Sequence, residues 1–117
     1  MEILFTVNES AYASEKTYNG VRTALQLLKE DPSVKVKVFL MGDGVGCSLS
    51  GQKPSASNYN IENLLTEIIS KNGKVKICKS CLEGRGYGSS KLIEGAEISN
   101  MTEYAQWIIK SDKVFNI

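Results

Sequence analysis

The residues best suited to chemistry stand together in Ile77-Cys78-Lys79-Ser80-Cys81-Leu82-Glu83-Gly84-Arg85-Gly86. The reactive form of a cysteine is the thiolate, so the environment that lowers its pKa separates a working thiol from an inert one. Val75-Lys76-Ile77 reads as the end of a buried strand, and the residues after it can open a helical turn whose free N–H groups favour a thiolate. Lys76, Lys79 and Arg85 add positive charge nearby. A free cysteine often serves only as a small buried hydrophobe. Two cysteines at C-x-x-C spacing, with an arginine and flanking glycines, point beyond packing to a nucleophilic or redox role.

Other chemistries fit less well. Gly42-x-Gly44-x-Gly46 resembles a dinucleotide fingerprint, but Cys47 occupies the place of the third glycine of G-x-G-x-x-G and the loop follows a second strand, not a first. Gly46 to Gly51 has the outer spacing of a phosphate-binding loop, yet Gln52 stands where lysine is required. Cys47, Cys78 and Cys81 could offer a metal three thiolates, but the chain has no histidine and a closed zinc site wants four strong ligands. We therefore expect neither cofactor nor metal. A thioredoxin-like dithiol is the nearer rival. Its motif would come early and be followed by a cis-proline, whereas here Pro32 and Pro54 both precede the cysteines.

Strand and helix patterns alternate along the chain, predicting βαβ units, a parallel sheet and one α/β domain over residues 1–117. The first strand is Ile3 to Val7. Tyr18, Val21, Ala24, Leu25 and Leu28 then recur at helical spacing, and Asp31-Pro32 stops that helix. Val34 to Met41 reads as a strand entering the core, ended by Gly42. Ser48 to Asn60, rich in Ser, Gly, Asn and Pro, is expected to be a mobile crossover that could act as a lid. Ile61, Leu64, Leu65, Ile68 and Ile69 give a second helix, closed by Asn72-Gly73. Val75 to Ile77 is the third strand and Glu97-Ile98 a short fourth. Asn100 caps a last helix, with Glu103 three residues on. Met101, Tyr104, Ala105, Ile108 and Ile109 are its expected apolar face. Trp107 lies off that stripe, where it suits a subunit contact or partial burial at the helix edge. Lys113 to Ile117 is the final strand.

Ligands and catalysis gather at the carboxyl ends of the strands in such a sheet. The three segments that follow the first three strands would bound a pocket there with Asn8, Gly42, Asp43, Gly44, Cys47 and Gly86. Cys47 could face Cys78 across the strand ends; a bystander role, exposed or packed, is the preferred expectation.

The 117 residues suit one domain with a real core. The 14 basic and 13 acidic residues nearly cancel, giving no electrostatic footprint for nucleic acid or an anionic membrane. No apolar run approaches the roughly 20 residues needed to span a bilayer. Met1-Glu2 leads straight into Ile3-Leu4-Phe5 without a leader pattern, so a cytoplasmic location is expected. Three cysteines, an odd count, argue for reduced thiols over a disulfide framework.

Several segments, in this order and spacing, resemble the DsrE/DsrF-like superfamily, nearest its small YchN-like branch. They are Ile3-Leu4-Phe5-Thr6-Val7-Asn8, Phe39-Leu40-Met41-Gly42-Asp43-Gly44-Val45 with Gly51-Gln52, and Cys78-x-x-Cys81-x-x-x-Arg85-Gly86. Gly95-Ala96-Glu97-Ile98-Ser99, followed by a helix and Asp112-Lys113-Val114, completes the set. The resemblance covers essentially the whole chain. It departs at Gly84, where YchN-like proteins often have alanine, and at the polar Tyr87-Gly88-Ser89-Ser90. It implies a three-layer α/β/α fold with a mainly parallel five-stranded sheet, flavodoxin- or Rossmann-like, assembled as homotrimers or homohexamers with the cysteines near subunit contacts. Members with assigned roles in making tRNA 2-thiouridine and in sulfur oxidation carry sulfur as a cysteine persulfide. By its spacing to Arg85-Gly86, Cys78 resembles the family's sulfur-accepting cysteine, with Arg85 and Lys79 steadying the anion and Cys81 in a secondary role.

Three functions follow as expectations. The first is a sulfur-relay protein of sulfurtransferase type that accepts persulfide sulfur on Cys78 from a donor protein and passes it to an acceptor, without direct contact with nucleic acid or membrane. The second is a dithiol oxidoreductase cycling Cys78 and Cys81. The third is an oligomeric small-ligand binder whose thiols are incidental.

Overall fold

The computed structural model describes residues 1–56 and 59–117. In chain order the elements are β1 (Glu2–Val7), α1 (Glu15–Glu30), β2 (Lys35–Leu40), a 3-10 segment (Gly42–Ser48), α2 (Ile61–Ser70), β3 (Lys74–Cys78), α3 (Lys79–Gly84), β4 (Glu97–Ser99), α4 (Met101–Lys110) and β5 (Lys113–Asn116). The strands form one sheet in the order β4-β3-β2-β1-β5, and every neighbouring pair is parallel. The three central strands lie side by side, so the segments leaving their carboxyl ends meet.

Register assigns the two faces. Phe5, Val38 and Val75 are aligned across β1, β2 and β3. These buried residues, with Ile3, Val36 and Ile77, share one cluster with Val21, Ala24 and Leu25 of α1 and Leu65 and Ile68 of α2. The opposite face carries Thr6 and Phe39, also aligned, and α4 covers it. There the hydroxyls of Thr6 and Tyr104 are hydrogen-bonded at 2.8 Å, and the Phe39 ring packs against Tyr104 and edge-on to Trp107. The result is three layers, α/β/α.

Local chemistry sets the helix ends. The Asn100 side chain accepts a hydrogen bond from the Glu103 N–H at 3.0 Å, as its N-cap position predicts. Instead of returning to the Asn100 backbone, the Glu103 carboxylate accepts from the Ser99 hydroxyl and pairs with Lys76. At the end of α2, Asn72 takes the left-handed conformation with φ 69°, and the N–H groups of Asn72 and Gly73 return to the carbonyls of Ile69 and Ile68.

Two expectations need correction. Trp107 is the buried residue of α4, whereas Met101, Ile108 and Ile109 of its expected apolar face are exposed. The sheet beneath explains this, because it presents Phe39 and the ammonium groups of Lys37 and Lys76. Both cations lie over the indole ring, at 5.6 and 4.8 Å from its centroid, so an aromatic surface fits there better than an aliphatic one. The crossover from Ser48 to Asn60, expected to be mobile, is pinned in its first half. The Gln52 amide donates to the carbonyls of Cys47 and Leu49 at 2.8 Å each, while the Glu62 carboxylate accepts from the N–H groups of Gly51 and Gln52. Residues 57 and 58 of that crossover lie outside the described residues.

Candidate functional site

Cys78 is the last residue of β3 and also the N-cap of α3. The strand ends there because the next six residues turn into helix, and this places a thiol at the junction. The Cys78 Sγ lies 3.3 Å from the Ser80 Oγ. Burial opposes ionisation of Cys78, yet hydrogen bonding from the Cys81 and Ser80 side chains and backbone N–H groups outweighs it and brings the thiol below its ordinary pKa. Cys81 moves the other way. Burial raises its pKa, and donation to Cys78 holds its proton further, against a backbone hydrogen bond from Gly42 and the charge of Arg85. The pair thus divides into one thiol that ionises readily and one that keeps its proton.

Arg85 is held in place from two sides. Its Nε and Nη2 both approach the Asp43 Oδ1 at 2.9 Å, and its Nη1 donates to the Cys81 carbonyl at 3.2 Å. It ties the 3-10 segment after β2 to the helix after β3, and its charge bears on Cys81. The following Gly86 has φ 76°, and α3 closes through hydrogen bonds from Gly86 N–H to Glu83 and from Tyr87 N–H to Leu82 at 2.8 Å. Gly86 therefore positions Arg85 by permitting the left-handed turn. Lys79 is exposed beside the thiol, whereas Lys76 is committed to Glu103 and Trp107.

The glycine segment is structural as well as local to the site. Gly42 has φ 56°, which turns the chain sharply after β2. The Gly44 N–H donates to the Asn8 carbonyl at 3.1 Å and to the Met41 carbonyl at 2.9 Å, fastening the segment to the end of β1. A Cβ on Gly44 would run into the Val7 carbonyl oxygen. The structure thereby gathers Asn8, Gly42, Asp43, Gly44, Cys78, Cys81, Arg85 and Gly86 at the carboxyl ends of three adjacent strands. Cys47, on the same segment, is fully buried, and burial pushes its pKa up to about 12. It packs in the core cluster with Val45 and Leu65.

A recess of about 320 Å³ opens at Arg85, lined by Asp43 and Arg85 together with Ser10, Tyr12, Gly46 and Gln52; of the residues expected to bound a pocket only Asp43 lines it, and Asn8, Gly42, Gly44, Cys47 and Gly86 do not. Three contributors were not anticipated from sequence. Ser80 was visible inside the C-x-x-C motif, where a hydroxyl two residues after an N-cap can reach the capping atom. Gln52 lies in a segment that reads as loop. Tyr12 carries no local signal, yet it adopts φ 64°, unusual for a bulky residue, and its hydroxyl donates to Gln52 and accepts from the Ile61 N–H at 3.0 Å. Tyr12 and Gln52 also line a neighbouring cavity of about 560 Å³ with Tyr18 and Tyr59. Among the described residues no helix is long and apolar enough to cross a membrane, and no group of three or more Cys, Asp or Glu is gathered to hold a metal ion.

Known proteins resemble this chain in sequence and fold. Protein YchN of Escherichia coli strain K12 is 39% identical over 113 residues, covering 97% of this chain and 96% of the relative. An uncharacterized protein of Methanopyrus kandleri is 35% identical over 112 residues, covering 96% and 90%. The fold matches the crystal structure of the ychN protein from E. coli with a TM-score of 0.95 at 38% identity, over 100% of this chain and 99% of that one. A protein of unknown function from Methanobacterium thermoautotrophicum shares the fold alone, with a TM-score of 0.79 at 14% identity over 99% and 98% of the two chains. The model of the DsrE/DsrF-like family matches residues 1–117, and the chain belongs to that family.

Proposed function

We propose that this chain is a sulfur-relay protein that accepts sulfane sulfur on Cys78 and passes it to a second protein. The observation that carries the reading is the place of Cys78 at the junction of β3 and α3, with its Sγ 3.3 Å from the Ser80 Oγ, where its neighbours favour the thiolate while Cys81 is shifted toward the thiol. In the loading step the Cys78 thiolate attacks the terminal sulfur of a donor persulfide. A new S–S bond forms on Cys78, the donor's S–S bond breaks, and the donor leaves as its thiolate. In the discharge step an acceptor thiolate attacks the same terminal sulfur and Cys78 is released as thiolate. Attack by Cys81 on the inner sulfur would instead expel hydrosulfide and leave a Cys78–Cys81 disulfide. A Cys81 that holds its proton slows that loss and stabilises the loaded state. Arg85, anchored by Asp43, contributes positive charge at the mouth of the site.

The relay reading extends to a cytoplasmic homo-oligomer, trimer or hexamer, with protein donors and acceptors. Its test is incubation of the reduced chain with a cysteine desulfurase and cysteine, followed by intact mass and peptide mapping. One added sulfur on the Cys78 peptide is the expected result, lost in Cys78→Ser with the circular dichroism unchanged. Equal loading of Cys78→Ser overturns it. The mutual influence of the two thiols on each other's ionisation also favours a second reading, a dithiol oxidoreductase. Under that reading no sulfur adds, and a Cys78–Cys81 disulfide forms reversibly in a glutathione redox buffer.

A further inference from the structure

At the amino-terminal ends of the strands lies a recess of about 420 Å³ that neither Cys78 nor Cys81 lines. Its lining holds five lysines, Lys35, Lys37, Lys74, Lys76 and Lys110, against two glutamates, Glu2 and Glu97, with Trp107 as one wall. The chain as a whole is nearly neutral, with 14 basic and 13 acidic residues, so this concentration of positive charge is local.

The lysines are unequally compensated. In the sheet register Lys35 lies opposite Glu2 and Lys76 opposite Glu97, and Lys76 also pairs with Glu103 at 3.4 Å. Lys37, by contrast, lies opposite Lys74, a like-charge cross-strand pair of the kind that destabilises a sheet. Among the described residues Lys37, Lys74 and Lys110 make no ion pair. Lys37 is only 5% exposed, and its ammonium donates to a single protein acceptor, the Trp107 carbonyl at 3.3 Å. A lysine ammonium has three protons to donate, and burying one without an anion is costly. Burial pushes the Lys37 pKa down, and Lys110 and Lys35 push with it against Glu2 and Asp112.

We propose that this recess binds a small tetrahedral oxyanion, phosphoryl or sulfuryl, between the ammonium groups of Lys37, Lys74 and Lys110. Such a group neutralises the Lys37–Lys74 repulsion and accepts the remaining protons of the buried ammonium. Its several oxygens suit lysines arriving from two strands and a helix, since each ammonium is a point charge with freely rotating donors. Neither thiol lines the recess, so the proposal stands or falls independently of sulfur relay.

Trp107 is the only tryptophan in the chain, so its fluorescence reports on the recess. The experiment titrates the folded chain with inorganic phosphate and, separately, sulfate, at ionic strength held constant with sodium chloride, and repeats both by calorimetry so that an optically silent site is still seen. The expected result is a saturable signal with at least one of the two ions, its half-saturation raised tenfold or more in the double variant Lys74→Gln, Lys110→Gln. The ion that binds more tightly names the class. Both positions are exposed, so the double variant keeps the fold. No saturation by either method, or saturation left unchanged by the double variant, overturns the proposal.

Discussion

At the scale of single residues, one strand end and one short helix give two cysteines three residues apart opposite acid–base behaviour. Cys78 accepts hydrogen bonds and Cys81 supplies one, so whichever thiol ionises first suppresses the other. Replacing Cys81 by alanine removes a donor to Cys78 while leaving the Ser80 hydroxyl and the backbone N–H groups in place. The midpoint for iodoacetamide alkylation of Cys78 is therefore expected to move to higher pH in Cys81→Ala, and an unmoved midpoint would show that the Ser80 hydroxyl and the backbone N–H groups set it without Cys81. Cys47 provides the contrasting case. Its thiol ionises near 9.0 in ordinary surroundings and at about 12 in the fold, so between those values the unfolded chain has released a proton that the folded chain retains. A raised acid pKa makes stability fall as pH rises through that window, by up to roughly 1.4 kcal/mol per pH unit for a single group. Urea unfolding measured above pH 9 is expected to show this slope, and Cys47→Ala to flatten it; equal slopes in the two proteins would place the alkaline sensitivity elsewhere.

At the scale of elements, the site depends on how the 3-10 segment Gly42–Ser48 seats against β1. Gly44 is the closest point of approach, and an added methyl group there has only the Val7 backbone to displace. Gly44→Ala is expected to cost about 1–3 kcal/mol, the usual penalty for overpacking, and to shift Gly42 and Asp43 away from Cys81 and Arg85. A lower urea midpoint together with altered Cys81 reactivity is the outcome that supports this coupling; a lower midpoint with unaltered reactivity would limit Gly44 to stability. Much of this element-level order is legible in the sequence, because βαβ alternation, the Asn100 cap and the Asn72 turn are written in periods and capping residues that act locally. The placement of Cys78 at a strand end is legible for the same reason. The seating of Trp107 is not, since α4 alone offers two faces and only the lysines and Phe39 of the sheet decide between them. Nor is the anchoring of the Gln52 loop, which depends on Glu62 from a later helix, or the convergence of Asp43 with Arg85, 42 residues apart.

At the scale of the whole molecule, one sheet edge is closed poorly by a single chain. β5 pairs with β1 on one side only, and its residues are exposed throughout, Phe115 at 46% although its ring stacks on Phe5. On α4, Ile109 is 82% exposed and Ile108 and Met101 are also turned outward. A parallel sheet is normally covered, and an uncovered edge strand with apolar neighbours is a template for association. A second copy of the chain is the occupant that the proposed homo-oligomer supplies. The native chain is then expected to sediment as a trimer or hexamer. Substituting Ile109→Lys together with Phe115→Lys places one charge at each of these exposed apolar positions, on α4 and on the edge strand, where burial of a charge without a partner is prohibitive, and should reduce the sedimenting mass while far-ultraviolet circular dichroism stays the same. A native chain that sediments as a monomer removes the oligomer from the proposal. An oligomer that survives both lysines assigns the contact to a different face, and Cys78 loading compared between the assembled and dissociated forms then tells whether a neighbouring subunit completes the thiol site.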